Sequence, residues 1–290
     1  MTRAGVVAVV GKPNVGKSTL LNRVVGEHVS ITSSKPQSTR TRVVGIVTRG
    51  EVQMVLHDTP GLITPHDLLH ESMQAHSLAA IADADVVLHL LDATARHHSD
   101  LTTDAALERP PKAPVITAFT KIDLIDSARR ADLLGAHHEA IPISGLTGEG
   151  IDVLLDRLTK HLPESPFLYA EDDLSTHSLR YLAAEHVREA ALDQLEQEIP
   201  HSVACVVEEF REGDEPVYIR AVIYVERESQ KRILIGAGGS RVREIGRVAR
   251  ARIEALVGAR VYIDLWVKVL HNWRRDRVAL QRLGLLHREE

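Results

Sequence analysis

The residues whose types and spacing could do chemistry begin with Gly11-Lys12-Pro13-Asn14-Val15-Gly16-Lys17-Ser18-Thr19. An apolar run, Val6 to Val10, precedes them, and Leu20 to Val25 follow with the apolar spacing of a helix. Strand, glycine loop, helix is the order in which a chain wraps an anion. The glycines let several backbone N–H groups converge on phosphate oxygens, and the helix adds its positive N-terminal end. Gly11, Asn14, Val15, Gly16, Lys17, Ser18 and Thr19 are therefore candidate nucleotide-binding residues. Lys17 is placed to reach the terminal phosphates, and the Ser18 hydroxyl to bind a magnesium ion.

Phosphate hydrolysis needs a second metal contact and a sensor for the terminal phosphate. Asp58-Thr59-Pro60-Gly61 follows the apolar strand ending at His57. There Asp58 can hold magnesium through water, and Gly61 can offer its N–H to the terminal phosphate. Between the two motifs, Ser33 to Arg42 is polar and basic with little to bury. Such a segment is ordered when metal and phosphate supply partners, and Thr39 is the hydroxyl chosen to complete the magnesium shell. Base choice falls to Thr120-Lys121-Ile122-Asp123, at the end of another apolar strand. The Asp123 carboxylate can accept two hydrogen bonds from the N1 and N2 edge of guanine, which adenine cannot supply. Lys121 can lay its stem over the base, and Ser144-Gly145-Leu146 is placed to give a backbone N–H to the guanine oxygen.

The elements that must position these groups alternate. Strands are read at Val6 to Val10, Val43 to Thr48, Val52 to His57, Val86 to Asp92, Val115 to Thr120 and Ala140 to Ile143. Helices are read at Lys17 to Val25, His70 to Ala82, Asp100 to Glu108, Ser127 to Ala136 and Gly150 to Leu162. This order implies an α/β domain with a mostly parallel sheet and ligands at the carboxyl ends of its strands. The second and third strands, joined at Arg49-Gly50-Glu51, read as an antiparallel hairpin, so the sheet is mixed. Prolines and the acidic run Glu171-Asp172-Asp173 mark a linker. The expected division is a nucleotide domain over 1–165, a linker over 166–178 and a second domain over 179–290.

That second domain reads as a helix from Leu179 to Gln197, strands Ser202 to Arg211 and Val217 to Glu228, and a short turn into Gly236-Ala237-Gly238-Gly239. A helix Ser240 to Leu256, a strand Arg260 to Val269 and a final helix Trp273 to Leu283 complete it. This is the α+β order of a bacterial, type II KH domain, in which small residues of a G-x-x-G turn let a nucleic-acid backbone approach closely. Lys231, Arg232, Gly236, Ala237, Gly238, Gly239, Arg241 and Arg243 are the candidate RNA-binding residues, with Arg247, Arg250 and Arg252 extending the basic surface.

Composition sets the bounds. At 290 residues, 44% apolar and 26% charged, the chain suits two ordinary globular domains. A net charge of −5 means that any nucleic-acid surface is a local patch. With one cysteine, Cys205, no disulfide framework can form within the chain, which fits a reducing cytosol. No run reaches the roughly 20 apolar residues of a membrane span. The histidine pairs His97-His98 and His137-His138 read as solvated loop residues and not as zinc ligands.

Taken together, G-K-P-N-V-G-K-S-T, P-Q-S-T-R, D-T-P-G, T-K-I-D and I-S-G-L-T-G-E-G resemble the translation-factor-related GTPases, and above all the Era family. The tail from Val261 to Gly284 is similar to the end of that family, so the resemblance spans nearly the whole chain. It implies a P-loop GTPase domain and a KH domain, GTP/GDP and Mg2+ as ligands, and hydrolysis of GTP to GDP and phosphate. It also implies binding to 16S ribosomal RNA near its 3′ end and a role in maturing the 30S ribosomal subunit. The implied chain is a cytoplasmic monomer, with peripheral attachment to the inner face of the cell membrane left open. A GTPase whose KH domain binds another RNA, or none, is the alternative.

Three departures from the family pattern stand out. Asparagine is usual where this chain has Thr120, which implies a weaker brace for the phosphate loop and keeps a P-loop kinase or ATPase in view; alanine is usual at Gly145. Basic residues are usual where the G-x-x-G turn has Ala237 and Gly238. Leu62, after D-T-P-G, cannot orient water, so the chain resembles hydrophobic-substituted GTPases. In those, asparagine at the Asn14 position helps bind K+ between the phosphates. Lys17, Asn14, Thr39 and Gly61 form the candidate catalytic set.

Overall fold

Val7, Ala8, Val9 and Val10 are all fully buried, as a strand covered on both faces requires. In the computed structural model, which describes residues 1–196 and 199–286, this strand is the middle of a six-stranded sheet. The chain divides into two compact units. Unit 1 holds Met1–Ser30, Thr39–Pro65 and His70–Thr176, and unit 2 holds Ile31–Ser38, His66–Leu69 and the chain from His177 on.

Unit 1 runs β1 (Arg3–Gly11), α1 (Lys17–Val25), β2 (Val43–Arg49), β3 (Val52–Asp58), α2 (Leu68–Asp83, begun in unit 2), β4 (Val86–Asp92), α3 (Leu101–Asp104), β5 (Val115–Thr120), α4 (Ser127–Ala136), β6 (Ile141–Pro142) and α5 (Ile151–Thr159). The strand order is β2-β3-β1-β4-β5-β6, with only β2 antiparallel to its neighbour. One apolar core joins Val7 and Val9 of β1, Leu20 and Leu21 of α1, Leu56 of β3, Leu88 of β4 and Leu154 of α5. The nucleotide motifs therefore all fall at the carboxyl ends of strands that a single core fixes.

The helix read over Asp100 to Glu108 is only one turn long. Asp100 caps it by accepting from Thr103 N at 2.7 Å, and Ala106 ends it with a φ of 50°. The acidic stretch after α5 lies along unit 1 as far as Thr176. Leu168 N and Tyr169 N donate to Gln53 Oε1 at 2.8 and 3.0 Å, and Gln53 Nε2 donates to Tyr169 O at 3.0 Å. Ile46 N donates to Leu174 O at 2.9 Å, and Ser175 Oγ to Val44 O at 2.5 Å. This strap covers the open edge of β2, which would otherwise present unpaired backbone groups.

Unit 2 contains α6 (Leu179–Asp193), β7 (Ala204–Arg211), β8 (Val217–Val225), α7 (Glu228–Ile235), α8 (Ser240–Val257), β9 (Val261–Val269) and α9 (Arg277–Arg282). The sheet order is β7-β8-β9, antiparallel then parallel. Alternate residues Val217, Ile219, Ala221, Ile223 and Val225 face a core shared with Val187 of α6 and Ile245, Ala249 and Ile253 of α8. Helix α6 ends at Asp193, and its expected end, Gln197, lies outside the described residues. Two expectations are corrected here. The stretch read as strand and turn up to Gly236 contains α7, whose start is closed by Gln230 Oε1 accepting from Glu226 N and Arg227 N at 2.9 and 3.1 Å. The final helix is broken, because Asp276 takes an extended conformation and caps α9 by accepting from Ala279 N at 2.8 Å. Among the described residues no helix is long and apolar enough to cross a membrane.

Candidate active site and nucleic-acid interface

The phosphate loop joins β1 to α1 and turns its lysine inward. Lys17 is buried, and its ammonium donates to Gly11 O and Lys12 O, both at 3.0 Å. Burial pushes its pKa down to about 8, against the pull of the nearby Asp58 carboxylate. Gly16 begins α1 with no side-chain cap, so the first-turn N–H groups and Lys17 define one positive pocket. The loop is anchored at its other end by Lys12, which pairs with Asp104 at 2.9 Å, and Asp104 in turn meets His89 Nε2 at 3.2 Å.

Ser18, Thr39 and Asp58, far apart in sequence, come together. Asp58 Oδ2 accepts from Ser18 Oγ at 2.7 Å and from Thr39 Oγ1 at 3.4 Å, and the two hydroxyls lie 3.1 Å apart. Ser30, which sequence reading missed, adds a third hydroxyl at 2.8 Å. Asn22 holds Ser30 there, accepting from Val29 N and Ser30 N at 3.1 and 2.9 Å. Asp58 Oδ1 is buried without a hydrogen-bond partner. Burial raises the Asp58 pKa, opposed by Lys17 and the three hydroxyls. An oxygen-only donor set with one buried carboxylate oxygen unsatisfied suits a hard divalent cation, and the residues fit magnesium.

The D-T-P-G turn lies directly on the phosphate loop. A Cβ added at Gly61 would come within 2.8 Å of Pro13 N, so only glycine allows this approach. Leu62 N donates to Gly11 O at 3.0 Å, while the Leu62 side chain packs with Ala8, Val10 and Ile81. Thr59 Oγ1 donates to Val9 O at 2.8 Å, and Ser77 Oγ of α2 to Pro60 O at 3.0 Å. Asn14 stands in the phosphate loop with a φ of 60°.

On the far side of the loop, Thr120 supplies the brace that its identity seemed to remove. Its hydroxyl donates to Val15 O at 2.6 Å, with Leu91 O at 3.2 Å. A hydroxyl has one hydrogen, so none is left for a base. Ile122 N donates to Ile143 O at 3.4 Å, which sets the Thr120 to Asp123 turn beside the Ser144-Gly145-Leu146 loop. Lys121 has a φ of 59°, and its ammonium pairs with Asp92 at 2.6 Å, so Asp92 fixes the direction of the lysine stem. The Asp123 carboxylate is exposed. Asp92 follows an apolar strand as any strand-end aspartate does, and no spacing marks it as a partner of Lys121.

In unit 2, Gly236 to Gly239 joins α7 to α8 with positive φ at Gly236, Gly238 and Gly239. Arg243 Nη1 donates to Gly238 O at 2.7 Å, and Arg241 Nη1 donates to Ile233 O, so both arginines brace the turn. On α7, Lys231 is half-buried and Arg232 exposed, and Ala237 and Gly238 of the turn are exposed. Beside the turn lies a groove of about 420 Å³ lined by Arg243, Gly246, Arg247 and Arg250 of α8 and by Tyr262 and Leu265 of β9. Tyr262 was not singled out from sequence, yet it is 57% exposed at this groove. Arg252 does not belong to the basic surface: it pairs with Glu189 and Asp193 of α6 at 3.1 and 3.0 Å. Of the two histidine pairs, His97, His137 and His138 are exposed as expected, whereas His98 is half-buried, and His98 and His137 both pack edge-on against Phe119.

These arrangements agree with comparisons to known proteins. Residues 6–121 match the family described as 50S ribosome-binding GTPase, and residues 198–274 match the KH domain. GTPase Era of Streptomyces coelicolor is 43% identical, across 97% of this chain and 95% of the relative. GTPase Era of Pseudomonas putida is 41% identical, across 98% and 97%. A variant of Aquifex aeolicus Era bound to GDP·AlF4− superposes with a TM-score of 0.94 at 38% identity, covering 99% of this chain and 100% of that one. Era in complex with MgGDPNP and nucleotides 1506–1542 of 16S ribosomal RNA gives a TM-score of 0.93 at 39% identity, with the same coverage. A P-loop domain with a mostly parallel sheet, a KH domain and near-full-length identity of about 40% lead to one conclusion: this chain belongs to the Era family of GTPases.

Proposed function

We propose that the protein binds and hydrolyses GTP in unit 1, binds 16S ribosomal RNA near its 3′ end through the KH groove of unit 2, and acts in assembly of the small ribosomal subunit. The observation that carries this reading is the meeting of Ser18, Thr39 and Asp58 beside Lys17, on a chain that matches Era at both ends. The first turn of α1 and the loop N–H groups receive the β- and γ-phosphates, with Lys17 between them. Ser18 and Thr39 would hold magnesium directly and Asp58 through water; the ion supplies charge neutralisation at the phosphates. Gly61 offers its N–H to the terminal phosphate from a position that contact with Pro13 keeps fixed.

Base choice rests with Asp123 on the N1 and N2 edge, the Lys121 stem over the ring, and a loop N–H on the guanine oxygen. With Leu62 committed to the core, no side chain there orients water. Asn14 would hold a potassium ion whose charge serves the phosphates as an arginine finger would. In unit 2 the exposed turn Ala237-Gly238 admits the RNA backbone, and Arg243, Arg250 and Arg247, the last shared with Glu244 at 2.6 Å, offer charge to its phosphates.

Titration of the whole protein with GTP, GDP and ATP tests the nucleotide half. GTP and GDP are expected to bind at least about 100-fold more tightly than ATP, because a site built for guanine leaves Asp123 unpaired against adenine. ATP binding as tightly as GTP would overturn the assignment.

A further inference from the structure

Arg23 stands on α1, six positions beyond Lys17, and has no place in the phosphate chemistry. Its guanidinium crosses to the loop after β6: Nε donates to Gly145 O at 2.9 Å and Nη2 donates to Leu146 O. A guanidinium offers its donors in a rigid planar fork, so holding two successive carbonyls fixes the planes of two successive peptides. Apart from Arg23, the loop is tied to its surroundings at its far end, where Arg130 Nη1 of α4 donates to Glu149 Oε1 at 2.7 Å, and its middle is held by its own turn. Thr147 N donates to Ser144 Oγ at 3.0 Å, Ser144 N to Glu149 O at 2.9 Å and Gly148 N to Ser144 O at 2.9 Å. Leu146, at its tip, is 70% exposed.

A second observation points the same way. A Cβ at residue 145 would lie 3.3 Å from both Leu20 N and Thr19 Cγ2, so glycine lets the loop settle onto the first turn of α1. Glycine also frees the backbone it occupies, and a freer loop needs a tether. Arg23 is that tether. One short helix then carries Lys17 and Ser18 at its start and, through Arg23, sets the loop at its end.

We propose that Arg23 is a positioning residue for guanine recognition, holding the Ser144-Gly145-Leu146 loop so that its N–H groups meet the guanine 6-oxygen. The inference rests on the reading of that loop as the 6-oxygen contact. The test uses the full chain and three ligands: GDP, IDP, which keeps the 6-oxygen and lacks the 2-amino group, and the diphosphate of 2-aminopurine riboside, which lacks the 6-oxygen.

Arg23→Ala is expected to weaken GDP and IDP by the same factor, about fivefold, and to leave the 2-aminopurine nucleotide unchanged. Arg23→Lys, whose donors all sit on one nitrogen and cannot span the two carbonyls as a planar fork, is expected to fall between, and it serves as the readable variant if the alanine protein does not fold. Unchanged GDP affinity, or equal weakening of all three ligands, would overturn the role of Arg23. If the unmodified protein binds GDP and the 2-aminopurine nucleotide equally well, the 6-oxygen contact itself is absent, a failure distinct from that of Arg23.

Discussion

Thr120 shows how much one side chain can hide. From sequence it reads as the loss of an amide; in the structure its hydroxyl reaches the Val15 carbonyl at 2.6 Å and keeps the phosphate loop braced. Removing it strands a buried carbonyl, so Thr120→Ala is expected to lower GDP affinity about tenfold, measured by calorimetry. Asn14 is tested by salt. Hydrolysis is expected to run faster in potassium than in sodium, and Asn14→Ala to erase the difference; equal initial rates in the two salts would remove the cation from the account.

His57 gives a stability test. Burial, reinforced by Arg42 and opposed by Asp83, holds its pKa near 4, against an ordinary value of 6.5. The unfolded chain therefore takes up a proton first, and stability is lost as pH falls from about 6.5 to about 4, by at most about 3 kcal/mol. In urea titrations across that range, His57→Asn should lose correspondingly less.

At the scale of elements, long periodic segments were legible and short ones were not. The continuous apolar runs of β1 to β5 and the apolar faces of α1 and α4 appear where sequence places them, because a sheet covered on both faces leaves those patterns no other use. Helix α7 was missed because Leu234 is its one fully buried apolar residue, too little to show a helical period. The phosphate loop, D-T-P-G and the Thr120 to Asp123 turn were legible from spacing.

Ser30, Asn22, Arg23 and Asp92 were not legible, because each acts through a contact that only the fold creates. The strap over β2 is of the same kind. Nothing in the acidic run 171–173 signals that Gln53, wholly buried on β3, pins Leu168 and Tyr169. Gln53→Leu leaves two backbone N–H groups without acceptors. It is expected to cost about 2 kcal/mol of stability, read as a lower urea midpoint.

For the molecule as a whole, two chemistries on one chain carry the account: a magnesium-ready nucleotide site in unit 1 and a basic groove beside a G-x-x-G turn in unit 2. With a net charge of −5, RNA binding by way of that groove, as proposed, should be local and sensitive to the groove's loss. The most direct measurement is crosslinking of the protein to RNA in lysate with GTP present, with reads mapped for the unmodified chain and for Gly238→Asp. A side chain at Gly238 meets open space, at the cost of adopting a φ of 55° that aspartate tolerates better than most residues, and the new carboxylate repels phosphate. Reads are expected to concentrate at the 3′ end of 16S ribosomal RNA and to disappear in the variant. Reads spread evenly over cellular RNA, or a 3′-end signal that survives the variant, would contradict the proposed function.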